Sequence, residues 1–188
     1  AASAEQMPNY DHWSQLPNDS LNRMAGRFLD PQCNPDSALL CYTIVANRYY
    51  TYRPKGEAVH ESIRAMNNLG YLYAFLYFNY EKAYAYSAMA LKISKEQGYK
   101  GSLPYIYQNL ANIYAIQNDL DYNHPNGKAI IANYRKAFYA ALAIRDDRIL
   151  TIILNNLLGT AIDYGFLDQC RREISIYSRL RIPARTPL

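Results

Sequence analysis

The sequence predicts an all-α fold made of successive helix pairs. Apolar residues recur at the spacing of an α-helix along most of the 188 residues, and no stretch alternates in the manner of a half-buried strand. A four-residue phrase also recurs at intervals of 41 and 47 residues. Its three copies are Asn67-Asn68-Leu69-Gly70, Gln108-Asn109-Leu110-Ala111 and Asn155-Asn156-Leu157-Leu158. Repetition at this period is typical of helical repeat arrays.

The first two helices are predicted from their ends. Residues 1–18 are expected to be loosely ordered, because helical spacing starts only after the turn and cap at 17–20. A second helix starts at Asn34 and Pro35, a capping residue followed by one that suits the first helical position. The Pro-Lys-Gly turn at 54–56 ends it.

Six further helices follow, with short breaks between them. They are predicted over 57–78, 79–98, 102–117, 128–144, 147–164 and 166–181. Gly98 suits a left-handed helix end, turn-forming residues at 118–127 interrupt the pattern, and Pro183 stops the last helix. The helices group into four pairs, about 19–53, 57–97, 102–144 and 147–181, followed by a tail at 182–188.

Composition is typical of a folded protein, with an excess of tyrosine. Half of the residues are hydrophobic and 19% are charged. Twenty Tyr stand against five Phe and one Trp, so most large rings are expected where one edge packs and the other meets water or a ligand. The net charge of +4 is spread along the chain, which argues against nucleic-acid binding. No apolar stretch is long enough to suggest insertion into a membrane.

No group of residues indicates catalysis or metal binding. The histidines, His12, His60 and His124, lie far apart, and the three cysteines lack zinc-type spacing. Residues 119–130 begin like a calcium loop, but His124 stands where glycine is required and Ile130 where an acid should close the site. Phosphate-loop and nucleophile motifs are missing. The sequence therefore predicts a protein that is not an enzyme and needs no cofactor.

The repeated phrase resembles the tetratricopeptide repeat (TPR) in its longer form of about forty residues. The matching positions are Met66, Leu69, Gly70, Tyr73, Ala83 and Ala90 in the first clear repeat, Tyr107, Leu110, Ala111, Tyr114 and Ala137 in the next, and Leu154, Leu157, Gly165 and Cys170 in the last. Leu158 and Tyr177 depart from the pattern, which has small residues there. The resemblance implies a right-handed α-α superhelix, a TPR-like solenoid of about four helix pairs that bury a shared core by stacking.

The resemblance also implies a concave groove lined by the first helix of each pair. Aligned with that family, the candidate ligand-binding residues are Arg64, Asn67, Asn68, Tyr71, Phe75, Tyr105, Gln108, Asn109, Asn112, Asn155 and Asn156. Carboxamides beside tyrosines bind a peptide backbone without requiring a charge on the ligand. The alternative is that these carboxamides only join neighbouring helices, since buried polar groups need hydrogen-bond partners.

These features predict a non-catalytic scaffold that binds a protein or peptide partner. Long TPR arrays of this kind often form the sensory or interaction half of bacterial regulators, frequently on the outer side of a membrane. The resemblance therefore favours a periplasmic or cell-envelope location over the cytoplasm. A tyrosine-lined groove also fits an alternative, the binding of a glycan or another small ligand by ring stacking. A third alternative is an enzyme whose site is assembled from residues distant in the sequence.

Overall fold

A computed structural model describes residues 9–30, 32–119 and 126–181. Over these residues the only regular structure is helical. The helices are α1 (Tyr10–Trp13), α2 (Asn18–Leu29), α3 (Pro35–Tyr52), α4 (Glu57–Phe75), α5 (Tyr80–Glu96), α6 (Leu103–Asp119), α7 (Gly127–Ile144), α8 (Asp147–Asp163) and α9 (Arg171–Arg181). Short 3-10 turns at Lys100–Ser102 and Leu167–Cys170 lead into α6 and α9. The predicted all-α class is confirmed.

Side-chain caps fix the starts of three helices. The Asn34 side chain accepts a hydrogen bond from the Ser37 amide at 3.1 Å, which starts α3 ahead of its proline. Asn79 caps α5 in the same way, through the Lys82 amide at 3.0 Å. Asp146 caps α8. Each cap satisfies a backbone N–H that has no partner inside its own helix.

Several boundaries differ from those predicted, and the ends of α4 and α6 are two of them. Helix α4 ends at Phe75 instead of residue 78, because Phe78 takes a φ of 48° and the Asn79 amide bonds back to the Tyr73 carbonyl at 2.8 Å. Helix α6 continues to Asp119, into the predicted break. Residues 1–8, most of the predicted insertion at 120–125 and the tail at 182–188 lie outside the described residues.

Part of the predicted N-terminal segment packs on the core. Trp13 contacts the ring of Phe28 with centroids 5.4 Å apart, and Leu16 also packs against the core. The Arg48 guanidinium of α3 donates to the Ser14 and Leu16 carbonyls and to the Asn18 side chain. One cation therefore holds the turn that leads into α2.

The helices pack as adjacent pairs, and each pair also contacts the next. Helices α2 and α3, α4 and α5, and α6 and α7 lie against each other, and α3–α4, α5–α6 and α7–α8 join successive pairs. The first helices of the pairs also meet, α2 with α4 and α4 with α6. Within the described part of the chain, no contact of that extent joins α6 to α8. Helix α4 is thus flanked on both sides by first helices.

The buried core follows this order along the chain. A large cluster spans α2 to α5 and the start of α6, and it includes the fully buried Leu69. A second cluster, which includes Leu157, joins α6, α7 and α8. Leu110, the middle member of the repeated phrase, is only half-buried and packs against the first cluster. The repeated leucines therefore lie in two clusters rather than in equivalent surroundings.

A buried amide holds the two ends of the 120–125 segment together. Asn118, at the end of α6, donates to the Tyr164 hydroxyl at 2.7 Å and accepts from the Asn126 amide at 3.0 Å. Gly127 then starts α7 against the ring of Phe166, which lies 3.1 Å from where a Cβ would stand. A larger residue at position 127 would therefore require the Phe166 ring to shift by a few tenths of an ångström.

Helix α9 is attached through a fully buried carboxylate. Glu173 accepts hydrogen bonds from Arg135 at 2.9 Å and from the Tyr139 hydroxyl at 2.7 Å, both on α7. Burial alone would raise the pKa of Glu173, but the hydrogen bonds from Tyr139 and Arg135 outweigh it, so the pKa lies below its ordinary value. Thr151 and Tyr177 join α8 to α9 at 3.0 Å.

Candidate functional site

Five of the predicted binding residues lie along one face of α4. Their spacing of three or four residues brings them onto one side of the helix: Arg64, Asn67, Asn68, Tyr71 and Phe75. Arg64 and Phe75 are exposed, Asn68 and Tyr71 are half-buried, and Asn67 is buried. This face separates two hollows, one towards α6 and one towards α2.

The first hollow, here called the α4–α6 cavity, has a volume of about 360 Å³. It is lined by His60, Ile63, Arg64, Asn67, Asn68, Gly101, Ser102, Tyr105 and Ile106. Four of the eleven predicted site residues therefore meet here, three from α4 and Tyr105 from α6. The size is within the range of sites that hold a small molecule or a peptide side chain.

Asn67 lies at the floor of the α4–α6 cavity with part of its bonding capacity unused. It is 7% exposed, and its side-chain Oδ1 is buried with no hydrogen-bond partner among the described residues. Its backbone carbonyl accepts a hydrogen bond from the side-chain amide of Asn109 at 3.3 Å. A buried polar atom without a partner is uncommon, so the carboxamide of Asn67, a residue that lines this cavity, keeps an acceptor that a rotated side chain could offer to a ligand.

The charged residue that lines this cavity is Arg64. Arg64 Nη1 lies 3.9 Å from Glu61 Oε2, beyond hydrogen-bond distance, and His60 Nδ1 lies 3.8 Å from the other Glu61 oxygen. Glu61 itself accepts a hydrogen bond from Asn22, which draws it towards α2. The Arg64 donors are thus not consumed by a close carboxylate partner.

The second hollow, here called the apolar hollow, has a volume of about 400 Å³. Its lining residues are Leu29, Cys33, Pro35, Tyr71, Leu72, Phe75 and Leu76. The Tyr71 and Phe75 rings stack with centroids 5.4 Å apart and planes 10° apart, and Phe75 remains 50% exposed. A wall of rings and aliphatic side chains that faces water is suited to an apolar group.

Some of the predicted carboxamides form hydrogen bonds between helices, and two of them line the α4–α6 cavity. Asn109 and Asn112 join helices: the Asn109 side chain donates to the Asn67 carbonyl, and the Asn112 side chain accepts from the Tyr134 hydroxyl at 2.6 Å. Burial raises the pKa of that Tyr134 hydroxyl to about 12, so it remains a donor. Two of the predicted carboxamides, Asn67 and Asn68, line the α4–α6 cavity.

The remaining predicted residues are not brought to either hollow. Gln108 is half-buried on α6, while Asn155 is exposed and Asn156 half-buried on α8. No residue of α8 lines the α4–α6 cavity, so the α8 face does not extend it. The neighbouring Ile152 and Ile162 are 41% and 65% exposed.

Several lining residues were not among the predicted set. His60 stands four residues before Arg64 and so shares its face, and Ser102 stands three before Tyr105. Helical spacing offered a signal for both residues. Leu29, Cys33 and Pro35 had no such signal, because they reach the apolar hollow from α2 and the turn after it.

Neither hollow holds a group of residues typical of catalysis. Among the described residues, no three His, Cys, Asp or Glu side chains are placed to bind a metal ion. The same part of the chain contains no helix with the length and apolarity needed to cross a membrane. No protein-family model, curated protein or solved structure matches the chain.

Proposed function

We propose that this chain is a non-catalytic scaffold that binds a segment of another protein across α4. The observation that carries the proposal is the α4–α6 cavity, where a buried acceptor on Asn67 lies beside the exposed ring of Tyr105. Rotation of the Asn67 carboxamide brings this acceptor to the cavity, where a backbone amide of the bound segment supplies the donor that it lacks. Tyr105, 46% exposed, offers apolar area that loses little entropy on binding.

The proposal includes a stacked architecture of the TPR type. Contacts between successive pairs, and between α2, α4 and α6, support a right-handed superhelix with the first helices on its concave side. The close approach of α4 to α5 at Gly70 supports the resemblance, since glycine is expected at this position. In such a stack the face of α4 that bears Arg64 and Phe75 lines the groove.

A peptide screen tests the proposed function. The full chain is immobilised and panned against a display library of random peptides, and the selected peptides are measured with the Tyr105→Ala variant. Affinity is expected to fall at least about tenfold, because an aromatic side chain at the rim of a pocket is a typical binding hot spot. Tyr52→Ala is the matched control, since Tyr52 is 73% exposed and lines neither hollow. A library that yields no binders, or binders indifferent to Tyr105, would contradict the proposal.

Glycan binding is the second candidate. The exposed Tyr105 ring above a cavity lined with carboxamides is also an arrangement on which sugar rings stack. A glycan array probed with the same proteins separates the two candidates. If the peptide screen yields no binders and the array shows glycan binding that Tyr105→Ala abolishes, glycan binding replaces peptide binding as the proposed function.

A further inference from the structure

The α4–α6 cavity and the apolar hollow flank the same exposed face of α4, and they differ in chemistry. The cavity presents a guanidinium, an imidazole and carboxamides, and none of its lining residues is acidic. The hollow is lined by apolar side chains together with the tyrosine hydroxyl of Tyr71 and the thiol of Cys33. A segment that lies across α4 meets a cationic end and an apolar end.

We propose that the groove selects a protein segment carrying one carboxylate side chain and one large apolar side chain about five residues apart in an extended chain. The carboxylate binds Arg64 in the α4–α6 cavity, and the apolar side chain enters the apolar hollow beside Tyr71 and Phe75. This inference rests on the proposed function and specifies the partner chemistry.

Charge complementarity assigns the acid to the α4–α6 cavity. Arg64 is exposed and its closest carboxylate, on Glu61, stands at 3.9 Å, so the planar fork of donors remains open to a ligand. A guanidinium pairs with a carboxylate through two parallel hydrogen bonds. His60, on the same face one turn earlier, adds a second donor. A basic ligand residue would instead meet Arg64 without compensation.

The buried amide of Asn67 accounts for binding of the main chain between the two ends. Its position between Arg64 and Tyr71 on α4 lies along the line that joins the hollows. The Oδ1, which is buried and unpartnered in the free protein, accepts from a backbone N–H of the segment once the carboxamide rotates towards the cavity, and so aligns the segment. This contact does not depend on the sequence of the ligand.

The spacing follows from the geometry of α4. Arg64 and Phe75 are eleven positions apart, which is about 16 Å at the rise of an α-helix. An extended chain covers about 3.3 Å per residue, so about five residues cover this separation along the axis of α4. A helical segment would need about eleven residues for the same distance.

Synthetic peptides test this inference directly. Acetylated and amidated peptides carry one Glu and one Leu separated so that they stand two, five or eight positions apart in a Ser-rich chain. Binding to the full-length 15N-labelled protein is followed by amide chemical shifts, which detect weak complexes and report that each variant is folded. The peptide with five-residue spacing is expected to bind about tenfold tighter than the other two, and replacing its Glu by Gln is expected to remove that advantage.

Protein variants assign the two ends. Arg64→Gln is expected to abolish the difference between the Glu and Gln peptides, whereas Arg148→Gln, an exposed arginine away from both hollows, is expected to keep it. Phe75→Ser is expected to abolish the advantage of Leu over Ser in the peptide. Equal binding of Glu and Gln peptides to the natural protein, or a preference for a helical peptide with eleven-residue spacing, would overturn the inference. If library peptides bind at Tyr105 while this series does not, the two-point inference fails and the proposed function stands.

Discussion

At the scale of single residues, Gly70 controls how closely two helices approach. A Cβ at this position of α4 would stand 2.3 Å from Ser87 Oγ and 3.0 Å from the Ala83 carbonyl oxygen. The serine side chain has freedom to rotate, but the carbonyl belongs to the backbone of α5. The equivalent residue in the next repeat, Ala111, is also small and fully buried. The side-chain volume at this position therefore limits the distance between the helices of a pair.

Replacement of Gly70 by alanine is expected to lower the free energy of unfolding by about 1–3 kcal/mol, because the added methyl group forces α4 and α5 apart. Gly159→Ala is the matched control, since Gly159 is exposed within α8 with no atom within 4 Å of its would-be Cβ. That control is expected to stabilise by about 0.5–1 kcal/mol through helix propensity. Urea denaturation measures both. If the two variants shifted the midpoint equally, close packing at Gly70 would be refuted.

At the scale of elements, α9 depends on one buried charge more than on backbone contact. Glu173 is fully buried and contacts Arg135 and Tyr139 on α7, while its second oxygen has no hydrogen-bond partner among the described residues. Arg172 lies over the Tyr139 ring at 5.8 Å and adds to the positive surroundings. Pairing of this kind offsets the cost of burying an ionised carboxylate.

Glu173→Gln is expected to lower the free energy of unfolding by about 1–3 kcal/mol at about pH 7, since a charge-assisted pair becomes a neutral one. The folded-state pKa is lowered, so the stabilisation is present above the ordinary glutamate pKa and is lost as the pH falls through the folded value. The difference in the free energy of unfolding between the natural protein and Glu173→Gln is therefore expected to be smaller at about pH 3.5, as measured by urea denaturation.

Asp168→Asn serves as the control for that pH series. Asp168 lies in the turn before α9 and pairs with Arg171, but its side chain is 86% exposed, so its removal is expected to change stability little at either pH. An undiminished gap between the natural protein and Glu173→Gln at low pH would show that ionisation of Glu173 is not what stabilises α9.

At the scale of the whole molecule, contacts in the described part of the chain run mainly between neighbours in sequence. Helix α4 contacts α2, α3, α5 and α6, whereas the main backbone contact of α9 is with the 3-10 turn that precedes it. A chain held together by neighbouring pairs distributes stability unevenly along its length.

Hydrogen exchange followed by mass spectrometry is expected to show this unevenness. Backbone amides of α9 are expected to exchange at least about tenfold faster than those of α4, because opening α9 exposes little of the core. Peptides from α2 provide the comparison at the other end, where packing on both α3 and α4 should give intermediate protection. Uniform protection from α2 to α9 would indicate one cooperative unit instead.

Much of the helical organisation could be predicted because its signals are local. The caps at Asn34, Asn79 and Asp146 and the helical spacing between them fix where helices begin, whatever the rest of the chain does. The end of α4 could not be predicted as well, since it depends on the left-handed conformation of Phe78 rather than on a glycine or proline. The packing of residues 10–16 was missed because it depends on Arg48, far along the chain.

The candidate site was only partly predictable. Alignment with the TPR family proposed Arg64, Asn67 and Phe75 as groove residues, and the structure places all three on α4. The alignment did not distinguish Asn67, which keeps an unpartnered oxygen, from Asn112, whose oxygen accepts from Tyr134. That difference depends on which side chain of a neighbouring helix lies next to each asparagine. The residues around an asparagine in the sequence do not predict that neighbour.

The sequence by itself determined the helices, their caps and the small residues between α4 and α5, because periodicity, capping and side-chain volume act over a few residues. Only the tertiary structure decided that Leu110 is half-buried while Leu69 and Leu157 are fully buried, and that two hollows of opposite chemistry flank α4. Those outcomes depend on how whole helices settle against one another. Many weak contacts and buried hydrogen bonds between distant residues decide that arrangement together.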